Sequence, residues 1–249
     1  MKNVLDISCL DKYSSGAKQR FLNFYTELVL KEKKKTFIII YTSEDNLKPF
    51  LNFQNVEFKK NPIHQDNYYK KLLSIIYVTV FSNYISNKIN IIEFFTLPFY
   101  RLPKSKNIIT IHDLRKLFFS KFFLNKFFLN FFYKIFLKKI DRIIVVSNSI
   151  KKEILNLTGN LNISVIYNTI DEKFFQKINS KKLLSIKKKY NLKNFFLLTV
   201  GHQEKRKNFI RLIKAIYILK KDIKNIQLII IGQKSDQSEK IRKLIYDLD

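Results

Sequence analysis

The sequence predicts an α/β fold built on a parallel sheet, and two observations support this prediction. Short apolar runs with the composition of buried strands recur along the chain, and some consist wholly of β-branched or aromatic residues, such as Phe37–Tyr41 and Ile143–Val146. Segments with helical periodicity lie between these runs. Strands that are apolar on both faces are typical of a sheet covered on both sides, and the alternation of strands with helices makes the strands parallel.

The individual elements follow from these two patterns. The predicted strands are Val4–Ser8, Thr36–Tyr41, Ile91–Phe95, Asn107–Ile111, Arg142–Ser147, Ile163–Tyr167, Phe195–Gly201 and Gln227–Gly232. The predicted helices are Ala17–Lys31, Tyr68–Ser86, Leu124–Lys139, Ser147–Leu157, Lys181–Tyr190, Lys207–Leu219 and Gln237–Leu248. Strands and helices therefore alternate along most of the chain.

The strands fall into two groups, which predicts two domains. Six strands occupy residues 1–168, and a new strand–helix series fills 195–249. A less regular stretch, Asn168–Lys182, is interpreted as a domain linker; with the helix that follows it, the linker region is 169–194. Two strands cannot close the core of a doubly wound domain. The second domain is therefore expected to be partial, either truncated or completed by another chain.

The composition is that of a globular and strongly basic protein. Of 249 residues, 46% are hydrophobic, and 47 Lys and Arg stand against 20 Asp and Glu, giving a formal net charge of +27. The abundance of Lys, Asn, Ile and Phe resembles an AT-rich coding bias, so part of the excess charge carries no function. The remaining positive field attracts anions, such as nucleic acid, anionic lipid head groups or phosphorylated substrates.

Several classes of site and location are not indicated. Cys9 is the single cysteine, which excludes an internal disulfide and fits a reducing cytosol. His64, His112 and His202 are widely spaced, so no metal site is expected. Neither an RNA-recognition motif nor zinc-finger spacing is present, so nucleic acid is not an expected partner. No secretory signal or membrane-spanning run is found, which predicts a cytoplasmic protein.

The loop before the first helix is one candidate ligand site. Gly16 follows Ser14 and Ser15 between a strand and a helix, where doubly wound folds bind ligands. Glycine permits close approach of a ligand to the backbone, and a helix N-terminus offers free N–H groups to an anion. The alternative is structural: a serine caps the helix and Gly16 makes a turn.

A histidine at the end of a buried strand is a second candidate. His112 and Asp113 directly follow the strand that ends at Ile111. This position places the imidazole at the mouth of the sheet, where it can bond a sugar hydroxyl or transfer a proton. The alternative is an ordinary loop histidine, with Asp113 capping the segment that follows.

A basic loop in the second domain is a third candidate. A strand ends at Gly201, and Arg206 and Lys207 lie where the next helix begins. Cations, a helix dipole and free N–H groups together stabilise the charge on a departing nucleoside diphosphate. The alternative is a charged surface loop in a chain rich in lysine.

The helix Leu124–Lys139 is a candidate membrane contact. Its Lys126, Asn130, Lys134 and Lys138 form one polar stripe at i, i+4 spacing, and nearly every other position is apolar. Such a helix can lie on an anionic membrane with its lysines at the head groups. The alternative is a helix packed inside the domain with one face in water.

An ordered series of short motifs resembles a known family. The motifs are Ile111–Leu114, Asp141–Ile154, Val165–Asp171, Val200–Gly201, Arg206–Asn208 and Ile229–Gly232. Together with Gly16, this series resembles the family 4 retaining glycosyltransferases of the GT-B type. It is most similar to their mannosyltransferase-like branch, whose members carry a similar His-Asp-Leu and Arg-Lys-Asn.

The resemblance implies two Rossmann-like domains, with the acceptor mainly on the first and a nucleotide-sugar donor mainly on the second. A hexosyl group would pass with retention to a glycan or lipid-linked acceptor, in polysaccharide synthesis, and no metal or other cofactor would be needed. His112 matches the active-site histidine, Lys207 matches the diphosphate lysine, and Gly16 lies in the glycine loop. The expected location is the cytoplasm, with the helix 124–139 as the candidate contact to the inner face of the cell membrane.

Two departures from the family bear on activity. The family often has Arg directly after the donor-strand glycine, where this chain has His202, and Arg206 is the candidate substitute. The family's pair of donor-binding glutamates lies beyond Asp249. This chain is therefore expected to bind donor weakly and to have uncertain activity. The rival hypothesis is a non-catalytic basic module that binds anionic membranes.

Overall fold

The computed structural model describes residues 2–10, 16–64, 69–70, 73–74, 76–78, 80, 89–94, 105–114, 131, 134–170 and 172–248. The chain divides into two compact units, Met1–Asp171 and Glu172–Asp249. Each unit has its own parallel sheet.

The first unit is a seven-stranded parallel sheet. Its strands are β1 (Lys2–Asp6), β2 (Thr36–Tyr41), β3 (Val56–Lys60), β4 (Ile89–Phe94), β5 (Lys106–Ile111), β6 (Arg142–Val145) and β7 (Ile163–Val165). Their order is β3-β2-β1-β4-β5-β6-β7, and every neighbouring pair is parallel. The parallel α/β prediction is confirmed. The order reverses between β1 and β4, which makes this the topological switch point of the sheet.

The sheet is buried on both faces, as its continuous apolar strands predict. Successive residues of a strand point to opposite faces. Ile38 and Ile40 of β2 belong to one hydrophobic cluster, whereas Phe37 and Ile39 belong to another. All four side chains are at most 3% exposed. This is why β2 carries no polar residue between Phe37 and Ile40.

The sequence prediction missed one strand of this sheet. Val56–Lys60 forms β3 at the edge of the sheet, paired only with β2. Its sequence, VEFKK, mixes polar and apolar residues because an edge strand is partly exposed to water, and none of its residues is fully buried. Within the described residues, the sheet of the first domain therefore has seven strands, whereas six were predicted from the sequence.

Two helices of the first unit are described over their full length. They are α1 (Gly16–Lys31) and α2 (Asn148–Thr158). Ser147 was predicted as both the end of a strand and the start of a helix; it caps α2, accepting a hydrogen bond from the Ile150 N–H at 3.3 Å. Gly159 ends α2 in the left-handed conformation, with φ of 65°. Two short 3-10 turns follow β2, at Glu44–Asn46 and Lys48–Phe50.

Two predicted helices lie largely outside the described residues. Of Tyr68–Ser86, the described positions are helical. Of Leu124–Lys139, residue 131 and residues 134–139 are described and helical; Lys134 and Lys138 are exposed, and Leu137 is buried in the core. Within the described part of the chain, no helix combines the length and apolar character that a membrane crossing requires.

The second unit is smaller. Its elements are a 3-10 turn (Glu172–Phe175), α3 (Ser180–Lys189), β8 (Phe196–Val200), a 3-10 turn (Lys205–Lys207), α4 (Phe209–Leu219), β9 (Gln227–Ile231) and α5 (Ser238–Leu248). The strands β8 and β9 pair in parallel. Phe209 and Ile213 of α4 pack with Ile241 of α5 in a small core. The helix predicted to begin at Lys207 begins at Phe209, because the basic residues form a separate 3-10 turn.

Candidate functional site

The first part of the candidate site lies at the carboxyl ends of β1, β4 and β5. Helix α1 begins at Gly16 after β1, and His112 directly follows β5. Ligands of open α/β sheets bind outside the carboxyl ends of the strands, beside the switch point. The topology thus places both residues on the side of the sheet where doubly wound folds bind ligands.

His112 is held in its neutral form. Burial and, secondly, the charge of Arg20 lower the pKa of the imidazole from its ordinary 6.5 to about 4, and Asp113 opposes this effect. The Nε2 atom is buried and has no hydrogen-bond partner in the part of the chain that the structure describes. A neutral imidazole with an unused ring nitrogen can exchange a hydrogen bond with a hydroxyl group.

Arg20 of α1 is a functional candidate that the sequence analysis did not single out. Its side chain is 2% exposed. The Nη1 atom donates to the carbonyl oxygens of Ile166 and Tyr167 at 2.9 and 3.2 Å, and the guanidinium lies 5.3 Å from the centre of the Phe24 ring. The Nε and Nη2 atoms are buried, and no described residue accepts a hydrogen bond from them.

A polar network lies beside Arg20 inside the first unit. Glu93 of β4 accepts hydrogen bonds from the Tyr25 hydroxyl and, at 2.5 Å, from Thr110 of β5. Burial raises the pKa of the Glu93 carboxyl, while these hydrogen bonds and the charge of Arg20 lower it. The network joins α1, β4 and β5 and so fixes the elements that carry Arg20 and His112.

Gly16 has open space around its Cα atom. A Cβ atom built on this residue meets nothing within 4 Å. Packing in the described structure does not require glycine at this position. The role of Gly16 in close approach of a ligand remains a prediction.

The second part of the candidate site lies at the ends of β8 and β9. The Gly201 N–H donates to the Ile231 carbonyl at 2.8 Å. A Cβ atom on Gly232 would lie 1.8 Å from the Gly201 oxygen, so the backbones approach too closely for a side chain here. A Cβ atom on Gly201 would lie 3.3 Å from Cε of Lys207. The stem of Lys207 therefore runs across the face that Gly201 leaves open.

The basic loop after β8 leads directly into α4. Asn208, at the N-cap position, adopts the left-handed conformation with φ of 55°, and its side chain makes no capping hydrogen bond. Lys207 is exposed. Arg206 forms an ion pair with Glu204, with Nε and Oε2 2.6 Å apart. Lys207 is thus placed beside a helix N-terminus whose first N–H groups are not bound by the cap side chain.

The structure brings some candidates together. Arg20 and His112 interact electrostatically in the first unit, and Lys207 covers Gly201 in the second. Spacing places Arg20 on the buried face of α1, since it shares a helical stripe with Ala17 and Phe24, both packed on the core, but spacing does not identify its partners. Among the residues that the structure describes, no cluster of His, Cys, Asp and Glu suits a metal ion.

Comparisons with known proteins connect this fold to one family. The sequence profile of Glycosyltransferase Family 4 matches residues 36–174, and that of Glycosyl transferases group 1 matches residues 180–249. No curated protein sequence is significantly similar to the chain.

Solved structures share the fold at low sequence identity. HepE from Anabaena, solved in complex with UDP-glucose, is 15% identical with a TM-score of 0.66; the match covers 100% of this chain and 65% of HepE. A structure described as trehalose-6-phosphate from E. coli, bound with UDP-2-fluoro glucose, is 12% identical with a TM-score of 0.61, covering 100% and 69%. The chain thus spans about two thirds of the length of these proteins.

The fold class is therefore α/β of the GT-B type, with a seven-stranded first unit and the beginning of a second Rossmann-like unit. The match to residues 36–174 extends over more than half of the chain. The chain belongs to Glycosyltransferase Family 4.

Proposed function

We propose that the protein moves a hexosyl group from a nucleotide sugar to a glycan or lipid-linked acceptor, with retention of configuration and without a metal ion. Family membership supports the reaction class. The observation that carries the proposal is Lys207, which lies across Gly201 at the end of β8 and immediately before α4. The domain assignment is 1–168 for the acceptor side, 169–194 for the linker and 195–249 for the donor side.

Lys207 and the start of α4 suit a diphosphate. The uncapped N–H groups and the helix dipole favour negative charge at this point, and the ammonium group of Lys207 adds a full positive charge. As the bond from the sugar to the diphosphate breaks, its electron pair stays with the leaving oxygen. Cations placed there stabilise this charge and the oxocarbenium-like state, and they do so without a metal. Arg206, paired with Glu204, would be a secondary contact.

His112 would act on the transferred sugar as a neutral group. With a pKa of about 4, its imidazole is uncharged at neutral pH and can bond a sugar hydroxyl. In a version of the protein as long as its structural relatives, His112→Ala should lower turnover at least about tenfold and leave the fold intact. A variant with wild-type turnover would remove His112 from the mechanism.

The donor site is tested by binding. The 249-residue chain is titrated with UDP-glucose and GDP-mannose, observing the ligands by NMR because weak binding is expected. Lys207→Ala should weaken binding at least about tenfold. Lys214→Ala is the matched control, since Lys214 is an exposed lysine of α4 beyond its first turn. Equal binding by both variants would contradict the assignment of Lys207.

A nucleotide-release assay separates the enzyme from a non-catalytic basic module. Each nucleotide sugar of a panel is incubated with a version of the protein as long as its structural relatives, and free nucleoside diphosphate is measured with and without added oligosaccharide acceptors. Release that depends on His112 and on an acceptor supports transfer. Membrane binding with no release from any donor supports the non-catalytic module.

Association with the inner face of the membrane is part of the proposal. Its support is the exposure of Lys134 and Lys138 on a helical segment whose Leu137 is buried. Sedimentation with liposomes should recover more protein on vesicles that contain anionic lipid than on neutral ones, and salt should reduce the difference. Equal recovery on anionic and neutral vesicles would indicate that the helix 124–139 packs inside the domain with one face exposed to water.

A further inference from the structure

Arg20 is a buried cation that uses two of its five N–H donors within the part of the chain that the structure describes. Its Nη1 atom holds two carbonyl oxygens, those of Ile166 and Tyr167. The Nε and Nη2 atoms have no hydrogen-bond partner among the described residues, although Arg20 is only 2% exposed. These two atoms form one edge of the planar guanidinium, and their N–H bonds run parallel. This is the fork that matches two oxygens of a carboxylate or a phosphate.

Two carboxylates among the described residues, Glu93 and Asp6, do not fill this fork. Glu93 is close enough for the charge of Arg20 to lower its pKa, but its two oxygens accept hydrogen bonds from the hydroxyls of Tyr25 and Thr110. Asp6, at the end of β1, accepts the N–H of Ser8 at 3.1 Å. Two buried donors without partners are costly, because each loses its hydrogen bonds to water and gains none. A bound oxyanion would recover this cost.

His112 provides a second unused polar atom in the same region. Its Nε2 is buried without a partner, and it lies near enough to Arg20 for the two side chains to interact electrostatically. A cationic fork suits an oxyanion, whereas a neutral imidazole suits a hydroxyl group. Together the two side chains match a molecule in which an anionic group and a hydroxyl are close neighbours.

We propose that the Nε–Nη2 edge of Arg20 and the Nε2 atom of His112 form a subsite for an acidic acceptor sugar. Arg20 binds a carboxylate or phosphate of the acceptor, and His112 bonds a nearby hydroxyl. This inference rests on the proposed function, which assigns the first unit to the acceptor. It adds that the acceptor carries an oxyanion.

The test uses three hexoses that differ at one carbon. The 249-residue chain is titrated at pH 7 with glucuronate, glucose 6-phosphate and glucose, and the imidazole C–H signals are followed by NMR. The chain has three histidines. His64 serves as the internal control, whereas His202 follows Gly201 and reports separately on anion binding at the Lys207 loop. Glucuronate, glucose 6-phosphate or both should shift the His112 signal, and the stronger ligand identifies the anion. No shift with either, or an equal response to neutral glucose, would overturn the proposal.

Variants show whether the fork of Arg20 is responsible. Arg20→Gln should weaken binding of the anionic hexose at least about tenfold. Arg20→Lys retains the charge but loses the fork, so it should bind with intermediate affinity. Lys31→Gln removes the same charge from the exposed last residue of α1 and should bind as wild type does. If Arg20→Gln binds the anionic hexose as wild type does, the proposal is wrong. Arg20 would then only hold the loop after β7 through the carbonyls of Ile166 and Tyr167.

The NMR titration requires no catalysis, and it still decides the proposal if one variant does not fold. Thermal melting identifies an Arg20 variant that fails to fold, and the wild-type titration with three hexoses still decides the proposal. Donor binding at Lys207 is measured separately. Donor binding without a response of His112 to an anionic hexose would refute the acidic acceptor alone. An anion site without transferase activity, in a version of the protein as long as its structural relatives, would refute the proposed function alone.

Discussion

The two sheets have similar strand sequences but very different burial. In the first unit, Phe37–Ile40 of β2 are at most 3% exposed. In the second unit, Leu198 of β8 and Ile231 of β9 are 55% and 54% exposed, although β8 and β9 are about as apolar in sequence as β2. An apolar run thus predicts a strand, whereas burial depends on the neighbouring strands and helices that cover it.

Hydrogen exchange should show the largest difference between the two sheets. The Ile7 N–H donates to the Ile40 carbonyl at 2.9 Å, and the Gly201 N–H donates to the Ile231 carbonyl at 2.8 Å. The two bonds are alike, so their exchange rates report how easily each unit opens. We expect Ile7 to exchange at least about a thousandfold more slowly, which corresponds to about 4 kcal/mol. The measurement is amide exchange followed by NMR.

A second strand amide provides the control within the first unit. The Ile166 N–H donates to the Val145 carbonyl at 2.9 Å and should be protected more than Gly201. Uniform protection across residues 1–168 and 195–249 would contradict the comparison. The β8–β9 unit would then be as stable as the larger sheet despite its exposed apolar face.

Matched isoleucine substitutions sharpen the comparison. Ile40 of β2 is fully buried, and Ile231 of β9 is 54% exposed. Ile40→Ala should lower the free energy of unfolding by about 2–5 kcal/mol, because it removes buried methyl groups and leaves a cavity. Ile231→Ala should cost less than about 1 kcal/mol. Urea unfolding measures both, and similar costs would mean that Ile231 is covered in solution.

The pH dependence of stability tests the burial of His112. Its pKa is about 4 in the folded state and about 6.5 when unfolded. As the pH falls from 6.5 to 4, only the unfolded state gains the proton, so the free energy of unfolding falls by about 3 kcal/mol; below pH 4 both states are protonated and the effect is complete.

The variant His112→Gln isolates this contribution. Burial raises the pKa of the Asp6 and Glu93 carboxyls, so the folded state takes up their protons at higher pH than the unfolded state. These two groups therefore favour the folded state as the pH falls, which opposes the effect of His112. Both carboxyls are retained in the variant. It should therefore lose about 3 kcal/mol less than wild type between pH 6.5 and 4, measured by urea unfolding. Parallel curves for the two proteins would show that His112 is hydrated.

The sequence predicted the elements that are covered on both faces. Thr36–Tyr41 was predicted with the observed bounds, because five of its six residues are apolar and its centre is buried. The edge strand Val56–Lys60 was missed because its exposure permits polar residues. The sequence pattern thus predicts a strand whose two faces are both buried. It fails for a strand at the edge of the sheet, which is partly exposed to water.

In the candidate site, too, one residue was predicted from the sequence and another was missed. His112 was predicted because a polar residue directly after an apolar strand is visible in the sequence. Arg20 was missed because its importance comes from partners far along the chain, Ile166 and Tyr167, and from a fork left unfilled by Glu93. Contacts across more than a hundred residues cannot be inferred from spacing within a helix.

The smallest expected effect concerns the N-termini of α2 and α4. Ser147 caps α2 by accepting the Ile150 N–H, whereas the side chain of Asn208 makes no capping hydrogen bond for α4. Ser147→Ala should therefore cost about 1 kcal/mol in the free energy of unfolding. Asn208→Gly should change it by less than about 0.5 kcal/mol, because glycine adopts the left-handed φ of 55° without strain and no cap bond is lost. Urea unfolding monitored separately in each unit is the measurement. A cost for Asn208→Gly equal to that for Ser147→Ala would mean that Asn208 caps α4 in solution, and the N–H groups proposed to hold the diphosphate would then already be occupied.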